Sequence, residues 1–250
     1  MKKDTNKKII IGFSIGDYNG IGPEILLKSF SDSKIFLEFI PVVFCDKYIL
    51  EYYSKRYEHN FKIKEIKNID SITDENLIYT FPISNKEIEI LPGEIKKESG
   101  NYAVKSLEEC TNAQKNKKID GVVTLPISKI NSQSTKFPFP GHTEYFLEKF
   151  NIDDNMMIMH SEMMTIGFMT GHIPLDSIKS VLDKKKIIKK LKIFVDSIEK
   201  DFNKKNPKIA VLGYNPHAGE DGLLGDDEIN LIKPVINELN NSKTIFEGPF

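Results

Sequence analysis

The sequence has few cysteines and no hydrophobic run of the length that a membrane span needs. Its two cysteines, Cys45 and Cys110, have neither CxxC nor metal-ligand spacing, so we expect reduced core thiols in a cytoplasmic protein. The apolar run after the lysine-rich start breaks at Gly16-Asp17, too early for an export signal, and no other run approaches ~20 residues. We therefore expect neither export nor membrane insertion.

An excess of charge of either sign is also absent. The 250 residues carry a formal net charge of -1, and the abundant lysines are interleaved with acidic residues. A broad basic field is not expected, so nucleic acid is not an expected partner. No internal repeat or low-complexity linker divides the chain, which is long enough for one large domain or two lobes.

Short apolar runs alternate with segments of helical periodicity, which is typical of an α/β protein with a mostly parallel sheet. Strands are predicted at residues 9–15 and 39–44, at Ile63/Glu65 and Ile88/Ile90 within 62–90, and at 121–125, 156–159, 164–169 and 209–212. Helices are predicted from Pro23, through Tyr48 and Tyr53, from a cap at Ser99, after Thr143, and at 187–202 and 226–239.

The stretch with the clearest chemical character is Asn215-Pro216-His217-Ala218-Gly219-Glu220, which follows the predicted strand at 209–212. The Asn-Pro and Ala-Gly pairs break regular structure, so His217 is expected in a loop at a strand's carboxyl end. Ligands of open α/β sheets usually bind outside such ends. Histidine also serves as a packed side chain, so a turn with a hydrogen-bonded histidine explains this stretch alone equally well.

A second histidine begins a predicted helix. His142 and Thr143 follow a Pro-Gly pair, and polar donors at a helix start suit a carboxylate or phosphate. The structural alternative is that Thr143 only caps the helix. That alternative explains the threonine and leaves His142 unexplained.

Three of the five histidines, His142, His172 and His217, lie just past predicted strands or at helix starts. Single histidines brought together by folding are usual in catalytic metal sites. Two imidazoles with oxygen donors suit zinc, manganese, cobalt or magnesium at a position left open for substrate. His59 and His160 are placed differently and are assigned no role; His160 is predicted in the turn between paired strands.

A glycine-rich turn connects the first predicted strand to the first predicted helix. The stretch Gly16-Asp17-Tyr18-Asn19-Gly20-Ile21-Gly22-Pro23-Glu24 offers free backbone amides that can hold an anion. Its spacing is not GxGxxG, and such turns are also common for steric reasons. Lys129, past the strand at 121–125, is available to an anionic substrate, although a solvated lysine is the favoured interpretation.

These stretches, in this order, resemble the 4-hydroxythreonine-4-phosphate dehydrogenase family of the vitamin B6 pathway. The family pattern Gly-Asp-Pro-Ala-Gly-Ile-Gly-Pro-Glu corresponds to residues 16–24, Thr-Ala-Pro-Ile-x-Lys to 124–129, and Pro-Gly-His-Thr-Glu to 140–144. Thr-His-Ile-Pro-Leu corresponds to 171–175, and Asn-Pro-His-Ala-Gly-Glu to 215–220. The resemblance spans nearly the whole chain.

The resemblance implies a two-lobed, three-layer α/β/α fold similar to isocitrate and isopropylmalate dehydrogenases, with residues 1–250 as one two-lobed unit. It implies NAD-dependent oxidation and decarboxylation of 4-phosphohydroxy-L-threonine to 3-amino-2-oxopropyl phosphate, for pyridoxal 5'-phosphate biosynthesis. By position, His172 and His217 match ligands of a divalent metal, and His142 and Thr143 match substrate contacts. The family further implies a homodimer with the site at its interface. Catalytic and NAD-binding residues are not assigned.

Three departures from the family pattern stand out. Tyr18-Asn19 replaces Pro-Ala, Gly171 replaces a threonine, and a later Tyr-His-Asp-Gln-Gly motif with a third metal histidine is absent. Arg56 is a poor substitute for the phosphate contacts of that later segment. We therefore expect a chain truncated at its C-terminus that binds metal weakly and turns over little. The alternatives are a dehydrogenase of another phosphorylated threonate or erythronate, and an inactive remnant that binds metal or phosphate.

Overall fold

The computed structural model describes residues 8–73, 76–84, 87–134, 137–241 and 243–250. The chain forms two compact units, Met1–Ile152 and Asp153–Phe250. Within the described ranges, no helix has the length and apolar character needed to cross a membrane. The expected α/β class with a mostly parallel sheet is confirmed.

The first unit is built on a parallel five-stranded sheet. Its strands are β1 (Ile9–Ser14), β2 (Phe39–Phe44), β3 (Ile63–Glu65), β4 (Ile78–Thr80) and β5 (Gly121–Thr124). The strand order is β3-β4-β2-β1-β5, in which β1 pairs with β2 on one side and with β5 on the other. The order reverses between β1 and β5, so their carboxyl ends flank the usual ligand position of such sheets.

Six α-helices accompany this sheet in the described part of the unit. They are α1 (Gly22–Phe30), α2 (Ile35–Glu38), α3 (Lys47–Arg56), α4 (Lys97–Lys115), α5 (Lys129–Ser132) and α6 (His142–Phe150). Helix α1 has Pro23 in its first turn, as predicted, and buries Leu26, Leu27 and Phe30. Cys45 and Cys110 are free and fully buried in the same core, which confirms the prediction of core thiols.

The second unit contains two small sheets and an amphipathic helix. Strands β6 (Met157–His160) and β7 (Thr165–Phe168) form an antiparallel hairpin, and β8 (Lys208–Ala210) pairs in parallel with β9 (Ile245–Glu247). The α-helices among its described residues are α7 (Ile178–Val181), α8 (Lys184–Lys200) and α9 (Lys233–Leu239), and a π-helical turn, Glu228–Ile232, leads into α9. Helix α8 confirms the predicted helical spacing, because Ile187, Leu191, Phe194 and Ile198 are all buried on one face.

Two predictions for the first unit are wrong. Residues 88–90 do not form a strand. The backbone N–H of Ile88 donates to the Tyr48 hydroxyl, and that of Leu91, the residue after them, donates to the Asn19 side chain. Those donors are therefore unavailable to a β-ladder. Helix α4 begins before Ser99, whose hydroxyl donates to the Lys96 carbonyl from within the first turn.

Two predictions for the second unit also need correction. The strand at 209–212 is shorter and only half-buried: Ile209 and Val211 are buried, whereas Leu212 is 71% exposed. Burial alternates along this strand because β8 lies in a two-stranded sheet and packs on only one face. His160 lies at the end of β6, paired with Thr165, rather than in the turn.

Candidate active site

The buried carboxylate of Asp17 holds together the segments that leave β1 and β5. Its Oδ1 accepts a hydrogen bond from the Asn19 N–H at 2.9 Å, and its Oδ2 accepts one from Asn131 Nδ2 at 2.7 Å. The Asp17 N–H donates to the Pro126 carbonyl at 3.0 Å. A Cβ on Gly16 would lie 2.3 Å from that carbonyl oxygen, so only glycine fits. The glycine-rich turn is therefore fixed by sterics and by one carboxylate.

Tyr18 and Asn19, which depart from the family pattern, are both buried in this turn. The Tyr18 ring packs edge to face on Tyr102 with 5.2 Å between centroids, and its carbonyl accepts a hydrogen bond from the Tyr53 hydroxyl. The Asn19 Oδ1 accepts a hydrogen bond from the Leu91 N–H at 2.9 Å. These contacts fix the backbone at a position where the family pattern has a stiff proline.

His142 is the first residue of α6 and is half-buried. Its Nε2 is buried without a hydrogen-bond partner in the described part of the chain. Burial lowers the pKa of this imidazole, so the ring is neutral at neutral pH. An unpaired buried polar atom is costly, and a bound molecule that supplies the missing hydrogen bond removes that cost.

An aromatic cluster fixes the start of α6. Tyr145 is 1% exposed and packs on the rings of Phe137 and Phe139, with centroid distances of 5.6 and 5.5 Å. Thr143 is exposed, and the capping residue is Gly141, which makes no side-chain cap. The interpretation of Thr143 as a helix cap is therefore wrong. Its hydroxyl and the first N–H groups of α6 remain open to a ligand.

His172 belongs to the second unit and lies in an irregular segment between β7 and α7. It is exposed, and its imidazole makes no hydrogen bond within the described ranges. No atom lies within 4 Å of a Cβ placed on Gly171. The threonine of the family pattern therefore fits there, and the change to glycine leaves the neighbouring histidine in place.

His217 lies on a left-handed turn formed by residues 217–221. The five residues have φ values between 43° and 80°, and only Gly219 among them is a glycine. Each non-glycine residue in this conformation costs roughly 1 kcal/mol. His217 is exposed and has no hydrogen-bond partner among the residues described. The prediction of a loop after a strand is confirmed, whereas the alternative of a hydrogen-bonded turn histidine does not describe this side chain.

The carboxylate of Glu228 lies beneath this turn and is fully buried. Its Oε1 accepts hydrogen bonds from the N–H groups of Tyr214 and Asn215, both at 2.7 Å, and its Oε2 accepts one from Asn215 Nδ2 at 2.9 Å. Burial opposes the charge, but the hydrogen bonds from Asn215 and Tyr214 hold the pKa of Glu228 below its usual value. Sequence reasoning missed this residue, because the only hint was a run of three acidic residues, 226–228, at the start of a predicted helix.

The other two histidines pack against aromatic rings. His160 lies 4.6 Å from the Phe202 ring centroid, and its Nδ1 is 2.8 Å from Thr165 Oγ1. His59 lies 5.1 Å from the ring of Phe61. Both histidines thus have structural contacts, and His160 is a matched control for His172 and His217 in the same unit.

The residues predicted for the site divide between the units: His142 and Thr143 in the first, His172 and His217 in the second. Across the described residues, no group of three or more His, Cys, Asp or Glu side chains is arranged to hold a metal ion. The partner-free imidazoles of His172 and His217 fit metal ligation. Two imidazoles would give two protein ligands, whereas a catalytic zinc site usually has three.

A family model described as pyridoxal phosphate biosynthetic protein PdxA matches residues 38–250. A 4-hydroxythreonine-4-phosphate dehydrogenase of Bacteroides thetaiotaomicron is 35% identical over 97% of this chain and 67% of its own length. A putative D-threonate 4-phosphate dehydrogenase of Clostridium botulinum is 28% identical over 98% of the chain and 73% of its own length.

A solved structure supports the same grouping. The crystal structure of 4-hydroxythreonine-4-phosphate dehydrogenase from Klebsiella pneumoniae superposes with a TM-score of 0.83 at 25% identity. The match covers 99% of this chain and 75% of that one. The fold, the motif-bearing loops and the match over residues 38–250 agree, and the chain belongs to the PdxA family of pyridoxal phosphate biosynthetic dehydrogenases.

Proposed function

We propose that this protein oxidises and decarboxylates 4-phosphohydroxy-L-threonine with NAD as the hydride acceptor, giving 3-amino-2-oxopropyl phosphate for pyridoxal 5'-phosphate biosynthesis. The observation that best supports this function is that the motif histidines His142, His172 and His217 all keep a ring nitrogen without a partner in the described structure. Relatives named for this activity, with 35% and 36% identity over 97% and 92% of the chain, support the same proposal.

The reaction has a simple electron balance. A hydride leaves the carbinol carbon of the substrate for the nicotinamide ring, and the hydroxyl loses its proton, which gives a ketone. The ketone is β to the carboxylate, so the bond to carbon dioxide breaks and its electron pair is held as an enolate. A proton added at carbon then gives the amino ketone.

Substrate binding is assigned to the start of α6. The neutral His142 ring gains a hydrogen bond at its buried Nε2, and the exposed Thr143 hydroxyl supplies a second one. The unpaired N–H groups of the helix start complement negative charge on a phosphate or carboxylate. The proposed residues thus orient the substrate with neutral donors and a helix dipole.

Metal binding is assigned to His172 and His217. Both imidazoles are exposed and have no partner among the described residues, and neutral imidazole is a common ligand of zinc, manganese and cobalt. When bound, a divalent ion lowers the energy of negative charge on the substrate oxygen during oxidation and decarboxylation. The remaining ligand positions are left to substrate, water or donors other than these two.

A second candidate substrate is a phosphorylated threonate such as D-threonate 4-phosphate. It is favoured by the Clostridium botulinum relatives, which carry that name at 28% identity. The two substrates share the phosphate and the carboxylate, and they differ in having an amine or a hydroxyl next to the carboxylate. An inactive remnant is the third possibility, and the intact His172 and His217 loops argue against it.

We also propose that the protein is a homodimer, with the outer face of the β6–β7 hairpin as the interface. That outer face consists of Met157, Met159 and Ile166, which are 40%, 58% and 37% exposed. The opposite face packs inward, since a Cβ on Gly167 would lie 2.9 Å from the Phe194 ring. An apolar sheet face left in water favours association, and a twofold pair brings identical faces together.

Substrate preference is tested by NADH formation. However slow the turnover by the purified chain with NAD and a divalent metal, kcat/KM for 4-phosphohydroxy-L-threonine is expected to be at least ~10-fold above that for D-threonate 4-phosphate, a difference of about 1.4 kcal/mol in transition-state binding. The opposite ratio would assign the second candidate. Absence of NADH formation with both, despite thermal stabilisation by either substrate, would identify a binding remnant.

Metal ligation is tested by titrating the protein with Co²⁺. His172→Ala and His217→Ala are each expected to lower the affinity at least ~10-fold, because each removes one of two imidazole ligands. His160→Ala serves as the control, since that ring is engaged by Thr165 and Phe202. Equal affinities for the wild type, His172→Ala and His217→Ala would refute the assignment.

The neutral state of His142 is tested by the pH dependence of the free energy of unfolding. Its pKa is lowered by burial, so between the two pKa values the unfolded chain binds more protons than the folded one. The contribution of the neutral His142 ring to the free energy of unfolding is therefore expected to be fully present above the unfolded pKa of about 6.5. It is expected to fall as the pH drops toward the folded pKa. His142→Asn is expected to flatten this slope, measured by urea unfolding; an unchanged slope would contradict the neutral buried ring.

The dimer is tested by sedimentation equilibrium. The wild type is expected to sediment as a dimer at micromolar concentration, and Met159→Lys as a monomer, because a lysine on each copy places charge in the apolar contact. Ile130→Lys is the control, at an 81% exposed position of the first unit. A monomeric wild type, or a dimeric Met159→Lys, would rule out this interface.

A further inference from the structure

We propose that Glu228 is a positioning residue whose buried carboxylate imposes the left-handed turn at 217–221 and so sets where the His217 imidazole points. This inference rests on the proposed role of His217 as a metal ligand. Glu228 touches the turn and the residues that lead into it, and none of its contacts requires a bound ligand.

The turn needs an outside support because its own conformation is unfavourable. His217, Ala218, Glu220 and Asp221 have left-handed φ values of 43–53°, which L-residues rarely adopt in series. After the turn, two backbone hydrogen bonds join it to the following residues: the Leu223 N–H donates to the Glu220 carbonyl and the Leu224 N–H to the Gly219 carbonyl. The Glu228 carboxylate adds support from the other end, at the segment just before the turn.

The chain is shaped to admit this carboxylate. A Cβ on Gly219 would lie 2.6 Å from Glu228 Oε2, and one on Gly213 would lie 3.2 Å from Glu228 Oε1. The glycine in the turn and the glycine before it therefore leave room for one oxygen each. Such close packing fixes the carboxylate against the backbone on both sides of Asn215.

The donors around Glu228 demand two acceptor oxygens. Two backbone N–H groups, from Tyr214 and Asn215, converge on Oε1, and the Asn215 amide donates to Oε2. Hydrogen bonds to a charged acceptor are stronger than those to a neutral one, so these three bonds offset part of the strain of the turn. A glutamine at this position keeps one acceptor and turns an N–H₂ group toward the Asn215 amide, so one bond becomes a donor–donor contact.

The neighbouring Asp227 extends the support toward the segment that follows His172. Its Oδ2 accepts hydrogen bonds from Asn215 Nδ2 and from Lys179 Nζ, both at 3.1 Å. Lys179 lies in α7, in the same unit as both proposed metal ligands. Asp227 and Glu228 together thus connect the backbone before His217 to the helix after His172.

The test uses the full chain and Co²⁺ as the probe, with Glu228→Gln as the variant and Glu238→Gln as the matched control. Glu238 makes an exposed ion pair with Lys184 at 2.8 Å, so its loss leaves the turn untouched. Two quantities are measured at a temperature where all variants are fully folded: the Co²⁺ affinity, and the hydrogen exchange of the amides in 213–221.

Glu228→Gln is expected to lower the Co²⁺ affinity at least ~10-fold, as loss of an orienting contact does at metal sites, and to speed exchange of the Tyr214 and Asn215 amides. Glu238→Gln is expected to change neither. Lys179→Met is expected to lower the affinity by a smaller factor with an unchanged melting temperature, because exposed ion pairs contribute little to stability.

Wild-type affinity and wild-type exchange in Glu228→Gln would overturn the inference, and an unchanged affinity in Lys179→Met would overturn the link through Asp227. A wild-type protein that fails to bind Co²⁺ would contradict the proposed function instead. In that case the exchange measurement still decides whether Glu228 holds the turn. A lower melting temperature in Glu228→Gln with unchanged affinity would assign it a purely structural role and contradict positioning.

Discussion

A single buried carboxylate supports the strained left-handed turn at 217–221. Glu228 is fully buried and accepts three hydrogen bonds just before a turn with five successive positive φ values. A charge is expensive to bury unless its hydrogen bonds are satisfied, and a left-handed turn is unfavourable without outside contacts. The buried carboxylate and the left-handed turn therefore stabilise each other, and the exposed His217 lies on that turn.

The first unit uses the same physical device at a different place. Asp17 is 6% exposed and accepts hydrogen bonds from Asn19 and Asn131, which ties the exits of β1 and β5 together. In both units a buried carboxylate accepts hydrogen bonds from backbone N–H groups of a loop, which has no strand or helix partner for them. The loops of α/β proteins carry function because a rigid scaffold positions them, and here the scaffold reaches the loops through buried carboxylates.

Sequence reasoning predicted the parts of the fold that depend on periodicity. The strands β1, β2 and β5 and the helix α8 follow from apolar spacing, and residues 39–44 match the strand to the residue. It failed where side chains capture backbone groups. Residues 88–90 look like a strand, but Tyr48 takes one of their backbone donors. The position of His217 after a strand was predictable, whereas Glu228 was not, because its role depends on contacts across 13 residues.

We propose that the imidazoles of His172 and His217, each on a loop positioned by the fold, both bind the metal ion. X-ray absorption of the Co²⁺-loaded protein at the cobalt edge tests it most directly, because the outer scattering shells of imidazole report how many rings bind the ion. Scattering from two imidazole rings is expected in the wild type, and from one ring in His217→Ala. Absence of imidazole scattering, or the same ring count in both proteins, would contradict it.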